Sequence, residues 1–269
     1  MAQANTKQSQ RISARERIQE AQRREQAAAK RRQRIVITVA AAVVLALAGG
    51  GALAVNAAKK DKEASTGAGS SAPLVVPANA SGQDGTVITY GKADAPHTME
   101  IYEDFRCPVC KHFEAANGEA VKQLTADGQI KVEFHLAAFL DKGLGGKGSR
   151  TALAAAGAAL NEGVDKFKAF HDVLYKNQPD ERVDAFGDTA KILELADQVP
   201  GLKTDAFVKA VNEKTYAPWA AKVADAFNDS GVQGTPTVKV DGKTITLFSG
   251  QNTATPDQFT AQVKQAAGL

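Results

Sequence analysis

The chain carries two cysteines in 269 residues, and they stand two positions apart in Asp104-Phe105-Arg106-Cys107-Pro108-Val109-Cys110. An apolar run with strand character, Met99 to Phe105, leads into them, and a run with helical character, Lys111 to Thr125, follows. Strand, Cys-x-x-Cys, helix is the setting in which two thiols work as a redox pair. At a helix N-terminus the first cysteine is exposed, and free backbone N–H groups and the helix dipole stabilise its thiolate. The second, one turn into the helix, is close enough to close a small disulfide ring. Pro108 suits the first helical position, where its missing N–H costs nothing. Two other uses of the pair fit less well. Zinc wants four ligands, but there is no second Cys-x-x-Cys, and His97, His112, His135 and His171 are scattered without ligand spacing. A purely structural bridge between residues three apart closes too small a loop to stabilise much. Neither a metal nor another cofactor is expected.

The net charge of +3 is unevenly placed: residues 1–34 carry ten Lys/Arg against three Glu, so the remaining 235 residues sum to −4. Behind this basic arm, Ile35 to Val55 has no charge and no strongly polar side chain beyond Thr38. At the rise of a helix it spans about 30 Å, a bilayer core. A buried core helix fits poorly, because the run is apolar on every face and is flanked by Arg31-Arg32-Gln33-Arg34 and Lys59-Lys60. A cleaved signal has a shorter apolar region and usually a short basic one, although Ala52-Leu53-Ala54 can be read as a cleavage site. The expectation is a retained transmembrane helix over residues 35–58, with the basic arm cytoplasmic and the rest outside. The arm lacks interleaved aromatics or a nucleic-acid motif, so membrane lipid is its expected contact and nucleic acid is not. Residues 59–85 turn to Ala, Ser, Gly, Pro and Asn, the composition of a flexible linker with a reach of about 25–30 Å.

Residues 86–269 read as one domain. Thr86 to Tyr90 is a short strand, Thr98 to Phe105 the strand into the cysteines, Lys111 to Thr125 a helix stopped at Gly128, and Ile130 to Leu136 an alternating strand. In that alternation His135 points away from Ile130, Val132 and Phe134, a surface or interface position. A helical region follows over about 145–230, with a Phe167, Phe170, Leu174 stripe, a stop at Pro200-Gly201, a break near Pro218 and a core Trp219. Asp241-Gly242 between two β-prone runs marks a two-residue hairpin. Thr255-Pro256-Asp257-Gln258 opens the last helix as a capping box.

Strand, Cys-x-x-Cys, helix, strand, long helical insert, hairpin, helix resembles the thioredoxin superfamily, and within it the DsbA-like thiol–disulfide oxidoreductases. Three features carry the resemblance: Phe105-x-Cys107-Pro108-x-Cys110 with Asp104 three residues before the first cysteine, the insert, and Gly231-Val232-Gln233-Gly234-Thr235-Pro236-Thr237 before the hairpin, which is similar to the family's cis-proline loop. The resemblance implies an α/β thioredoxin-like fold with an inserted helical domain, here preceded by one transmembrane helix. It implies that Pro236 packs against a redox-active Cys107–Cys110 disulfide and that the Thr235 backbone binds the substrate chain as an added strand. The family's buried acid often lies six residues before the first cysteine, where this chain has Ile101. Glu103 and Asp104 are the nearest carboxylates, and proton relay and solvated strand-end charge both stand open for them.

The implied chemistry is thiolate exchange at Cys107, with Cys110 resolving the mixed disulfide. DsbA-type oxidants have a histidine between the cysteines; Val109 here donates no hydrogen bond. With no further cysteine, recycling falls to a separate partner, in the family a membrane oxidase of the DsbB or vitamin K epoxide reductase-like type. The expected clients are cysteine-containing secreted or membrane proteins. Two other classes remain: a client-binding module without turnover, and a copper-handling protein using the two thiols with Met99 or His112.

Overall fold

The computed structural model describes residues 73–250 and 252–269. The basic arm, the span expected over residues 35–58 and residues 59–72 lie outside the described residues. Among the described residues no helix is long and apolar enough to cross a membrane.

A five-stranded sheet forms the centre: β1 (Ile88–Tyr90), β2 (His97–Asp104), β3 (Ile130–Ala137), β4 (Thr237–Val240) and β5 (Lys243–Thr244), in the order β1-β3-β2-β4-β5. β2 runs parallel to β3 and antiparallel to β4. As the middle strand it is covered on both faces, and its last four residues, Ile101 to Asp104, are all buried. The pleat sends Ile101 and Glu103 to one face and Tyr102 to the other. On the first face, Ile101 pairs with Phe134 of β3, which packs edge-on against Phe167 (5.6 Å) and beside His171 (4.9 Å). On the second, Tyr102 stacks on His135 at 4.5 Å and meets Phe227 at 6.3 Å. His135 therefore points away from Ile130, Val132 and Phe134, half-buried against Tyr102.

The cysteines open α1 (Pro108–Ala126), and between β3 and β4 lies the insert: α2 (Leu140–Leu144), α3 (Gly148–Glu162), α4 (Val164–Lys176), a 3₁₀ turn (Ala185–Gly187), α5 (Thr189–Ala196), α6 (Asp205–Asn212) and α7 (Ala217–Asp229). It starts at Leu140, slightly before the expected boundary, because the short α2 brings Asp141 round to accept from the Ser149 and Arg150 N–H groups in the first turn of α3. α3 is alanine-rich so that it can be buried along its length, and at Gly157 an added Cβ would lie 2.6 Å from the Trp219 ring. Trp219 is a fully buried anchor of α7. The hairpin turns at Asp241 and Gly242, both at positive φ (48° and 78°), as an Asp-Gly two-residue turn requires. β5 is shorter than the expected Thr244–Leu247 run; beyond Thr244 the chain turns Ile245 and Leu247 into the core. After a small β6–β7 ribbon (Phe248–Ser249 and Asn252–Thr253), α8 (Pro256–Ala267) begins with the capping box at Thr255 and Gln258 and seats Phe259 on Phe113 of α1.

Residues 73–85 depart from the linker reading. Asn79 donates to the Leu160 carbonyl (2.8 Å), Ser81 pairs with Val87, and the Gly85 carbonyl accepts from the Trp219 indole (2.6 Å). Composition alone marks this stretch as coil; the hydrogen bonds that dock it on the insert come from residues 81 to 138 positions away.

Candidate active site

Cys107 is the N-cap of α1, with Pro108 in the first turn. Its sulfur accepts from the Cys110 N–H at 3.4 Å and donates to the Thr235 carbonyl at 3.5 Å. The Thr235–Pro236 bond is cis. Both thiols are free. Cys110 is fully buried and Cys107 is only 6 % exposed, a correction to the open first cysteine that helix geometry alone suggests. Val109 is the exposed member of the motif at 42 %.

The two thiols are electrostatically unlike. Cys107 is lowered to about 7 by the Cys110 thiol; burial opposes this, and the Thr235 hydroxyl and the N–H groups of Cys110 and Val109 assist it. The Thr235 hydroxyl is buried with no hydrogen-bond partner, so its proton is free to turn to a thiolate. Burial, the Cys107 charge and Glu103 push Cys110 up, so Cys107 ionises first and Cys110 holds its proton.

Both strand-end carboxylates are fully buried, which removes the solvated reading, and they differ in use. Asp104 Oδ1 accepts from the Arg106 N–H (2.9 Å) and the Ser149 hydroxyl (2.7 Å), and Oδ2 from the Leu140 N–H (3.3 Å). Burial outweighs these bonds and raises it to about 6. Asp104 thus ties the turn before Cys107 to the insert, as does Arg106 beside it. That guanidinium, 2 % exposed, donates to Asp141 (2.8 Å) and to the carbonyls of Gly145 (2.8 Å) and Glu181 (2.9 Å). Glu103 instead faces the interior. Its Oε2 lies 3.0 Å from His171 Nε2, and its Oε1 is buried with no partner.

Sequence reasoning missed two residues here. His171 falls one turn after Phe167 on the apolar stripe of α4, and a titratable ring on such a face was the available signal. Gln178, buried just beyond α4, donates from Nε2 to the carbonyls of Phe105 (2.8 Å) and Cys107 (3.0 Å); nothing local marks it. Glu103, Glu114 and His171 bring ligand atoms within 4.8 Å of one another, the one such trio found among the described residues. The set has a cation's spacing but not its surroundings, because Nε2 is committed to Glu103 and the buried Lys168 ammonium stands beside it. Met99 is buried within the sheet and His112 is exposed, so neither adds to the thiols the soft ligand that copper handling asks for.

A family model described as Thioredoxin matches residues 83–265. Disulfide bond formation protein D of Bacillus subtilis is 31 % identical over 161 residues, 59 % of this chain and 69 % of the relative. Among solved structures, reduced DsbA from Mycobacterium tuberculosis is 27 % identical with a TM-score of 0.57, covering 68 % of this chain and 93 % of that one. Oxidised BdbD from Bacillus subtilis is 26 % identical with a TM-score of 0.57, covering 73 % and 100 %.

Proposed function

The chain belongs to the thioredoxin family, among its DsbA-like thiol–disulfide oxidoreductases, and from that premise we propose that Cys107 and Cys110 are its redox pair, acting outside the cytoplasm on cysteine-containing proteins. The observation that carries this reading is the asymmetry of the pair: an acidified thiol at a helix N-cap beside Thr235, and a buried one behind it.

In the oxidising direction a substrate thiolate attacks Cys107, the Cys107–Cys110 bond breaks, and Cys110 leaves with the electron pair and takes a proton. A second substrate thiolate then attacks the substrate sulfur of the mixed disulfide and expels Cys107 as a thiolate. Two substrate thiols become a disulfide and the enzyme is left reduced. Run backwards, the same steps reduce or rearrange a substrate disulfide. Pro236 and the Thr235 backbone line the face on which the substrate chain pairs, and Val109, exposed beside Cys107, adds apolar contact. Glu103 takes and returns the Cys110 proton; Asp104 holds the loop. Residues 1–34, 35–58 and 59–72 act as cytoplasmic arm, membrane anchor and tether, and a membrane oxidase of the DsbB or vitamin K epoxide reductase-like type reoxidises the pair.

Mixing the full-length oxidised protein with a reduced, unfolded client tests the chemistry. Cys110→Ser, loaded as a Cys107 mixed disulfide, should retain the client covalently, and Cys107→Ser should neither oxidise nor capture it. Client binding that survives in Cys107→Ser, with no oxidation by the wild type, supports a binding module instead. For the anchor, protease added outside intact cells stripped of their wall should digest the domain; a domain recovered wholly in the soluble fraction refutes it.

A further inference from the structure

The proposed redox cycle leaves open what keeps Glu103 ready for the Cys110 proton and where that proton goes next. Cys110 must gain and lose a proton once per cycle, yet it is fully buried and a bound substrate covers the Cys107 side. Burial and the Glu114 charge favour the neutral form of Glu103 and keep its pKa raised, and only His171 and Lys168 pull the other way. Something has to hold Glu103 ready.

His171 is placed to do so. Asp172 Oδ1 lies 3.3 Å from Nδ1 and also accepts from Lys168, while Oδ2 accepts from Lys122 at 2.7 Å. These ammonium groups and His171 hold Asp172 well below the usual carboxylate range. It is a fixed acceptor, and this assigns a proton to Nδ1. Nε2 then faces Glu103 Oε2 at 3.0 Å, a distance that requires one proton between them. Around the ring stand Phe105 and Tyr175, at 5.8 and 4.9 Å between centroids, with Phe134 and Phe167, and the imidazole is fully buried among them. The charged and titratable groups facing the pair are Cys110 and Glu114 of α1 and Lys168, Asp172 and Tyr175 of α4.

A way out exists on the same side. A cleft of about 380 Å³ opens between α1 and α4, lined by Lys111, Glu114, Lys122, Asp172 and Tyr175 among others. Glu114 is half-buried, reaches this cleft, and brings a carboxylate oxygen within 4.8 Å of the Glu103 and His171 ligand atoms, the spacing of one bridging water. We propose that His171, held as an imidazolium between Asp172 and Glu103, keeps Glu103 ionised in its buried site, so that the unpartnered Oε1 takes the Cys110 proton and passes it through Glu114 to water in the α1–α4 cleft. His171 is a positioning residue, because it acts on Cys110 only through Glu103. When Cys110 attacks a Cys107 mixed disulfide, its S–H proton goes to Glu103, its electron pair forms the Cys107–Cys110 bond, and the departing partner leaves as a thiolate. In the opposite direction the proton returns along the same path. The proton port and the substrate face are thereby separate.

The inference rests on the redox-pair reading, and the test separates the two. The full-length protein is loaded as a Cys107–glutathione mixed disulfide, and glutathione release by Cys110 is followed against pH, alongside alkylation of Cys107 in the reduced protein. His171→Gln keeps a hydrogen-bond donor but cannot carry charge. It should slow release at pH 7 by at least about tenfold, less than the roughly 10²–10⁴ of a missing acid–base group because His171 acts only through Glu103. Release should recover at alkaline pH, and Cys107 alkylation should change less than about twofold. An unchanged pH profile in His171→Gln overturns the relay while leaving the redox pair standing. A wild type that never releases glutathione overturns the redox pair itself. Should His171→Gln fail to fold, nitrogen NMR of the wild type decides: both ring nitrogens of His171 protonated at pH 7 in the reduced protein is the expected result, and a neutral ring overturns it.

Discussion

Thr235→Val removes one hydroxyl from beside Cys107 and keeps a β-branched side chain of the same shape. The Cys110 thiol first, then the Thr235 hydroxyl and the N–H groups of Cys110 and Val109, favour a Cys107 thiolate and bring its pKa to about 7 against burial. A hydrogen bond to a charged group is worth about 1.5–3 kcal/mol net, and one pKa unit corresponds to about 1.4 kcal/mol. A sulfur acceptor with three other donors sits at the weak end, so the expected rise is about one unit. At pH 7 the thiolate fraction then falls from about one half to about one tenth, and the alkylation rate falls about fivefold. Above about pH 10 both proteins are fully ionised and the rates converge. At pH 7, where the thiolate is only half formed, the change is worth about 0.35 kcal/mol, so at 30 mV per 1.4 kcal/mol the reduction potential moves by less than about 10 mV and alkylation is the sensitive assay. Stability should not fall, since the hydroxyl has no other partner. The measurement is iodoacetamide alkylation of the reduced full-length protein from pH 5 to 10, with the modified cysteine located by mass spectrometry. A midpoint that stays near 7, or a rate lowered equally at every pH, refutes the assignment of the hydroxyl to the thiolate. A fast-reacting Cys110 refutes the ordering of the pair.

Gln178→Ala leaves the buried Phe105 carbonyl without its donor, a cost of about 1–3 kcal/mol, while the Cys107 carbonyl keeps the Lys111 N–H. Urea unfolding should show that loss; a change below about 0.5 kcal/mol means that water or relaxed geometry replaces the amide. Asp104 gives a pH signature. Its folded pKa of about 6 lies above its ordinary 3.8, so between about pH 4 and 6 the folded protein binds the extra proton, and its contribution to stability falls as pH rises through that window. Asp104→Asn has no such proton, so its stability relative to wild type should improve from pH 4 to 6. A difference that stays flat across the window shows that Asp104 does not titrate there.

Much of this protein was legible in sequence because the physics concerned is local. A proline at the first helical position, an Asp-Gly pair needing two positive φ angles, and a Thr-x-x-Gln box each fix a turn or helix end through neighbours within four residues. Strand alternation put Ile130, Val132 and Phe134 on one face and His135 on the other, and the pattern of elements around Cys107 and Cys110 carried the resemblance to the thioredoxin superfamily. Tertiary structure decided everything that depends on which distant group covers which. Glu103 and Asp104 read equally as solvated charges until the insert closed over the end of β2 and buried both. Glu103 meets His171 across 68 positions, Cys107 meets Thr235 across 128, and the indole of Trp219 reaches Gly85 across 134, converting part of a linker-like stretch into docked backbone. Burial is what raises a carboxyl, withholds the Cys110 proton and makes an orphaned oxygen significant, and it is a property of the packed layers that no short run of residues specifies.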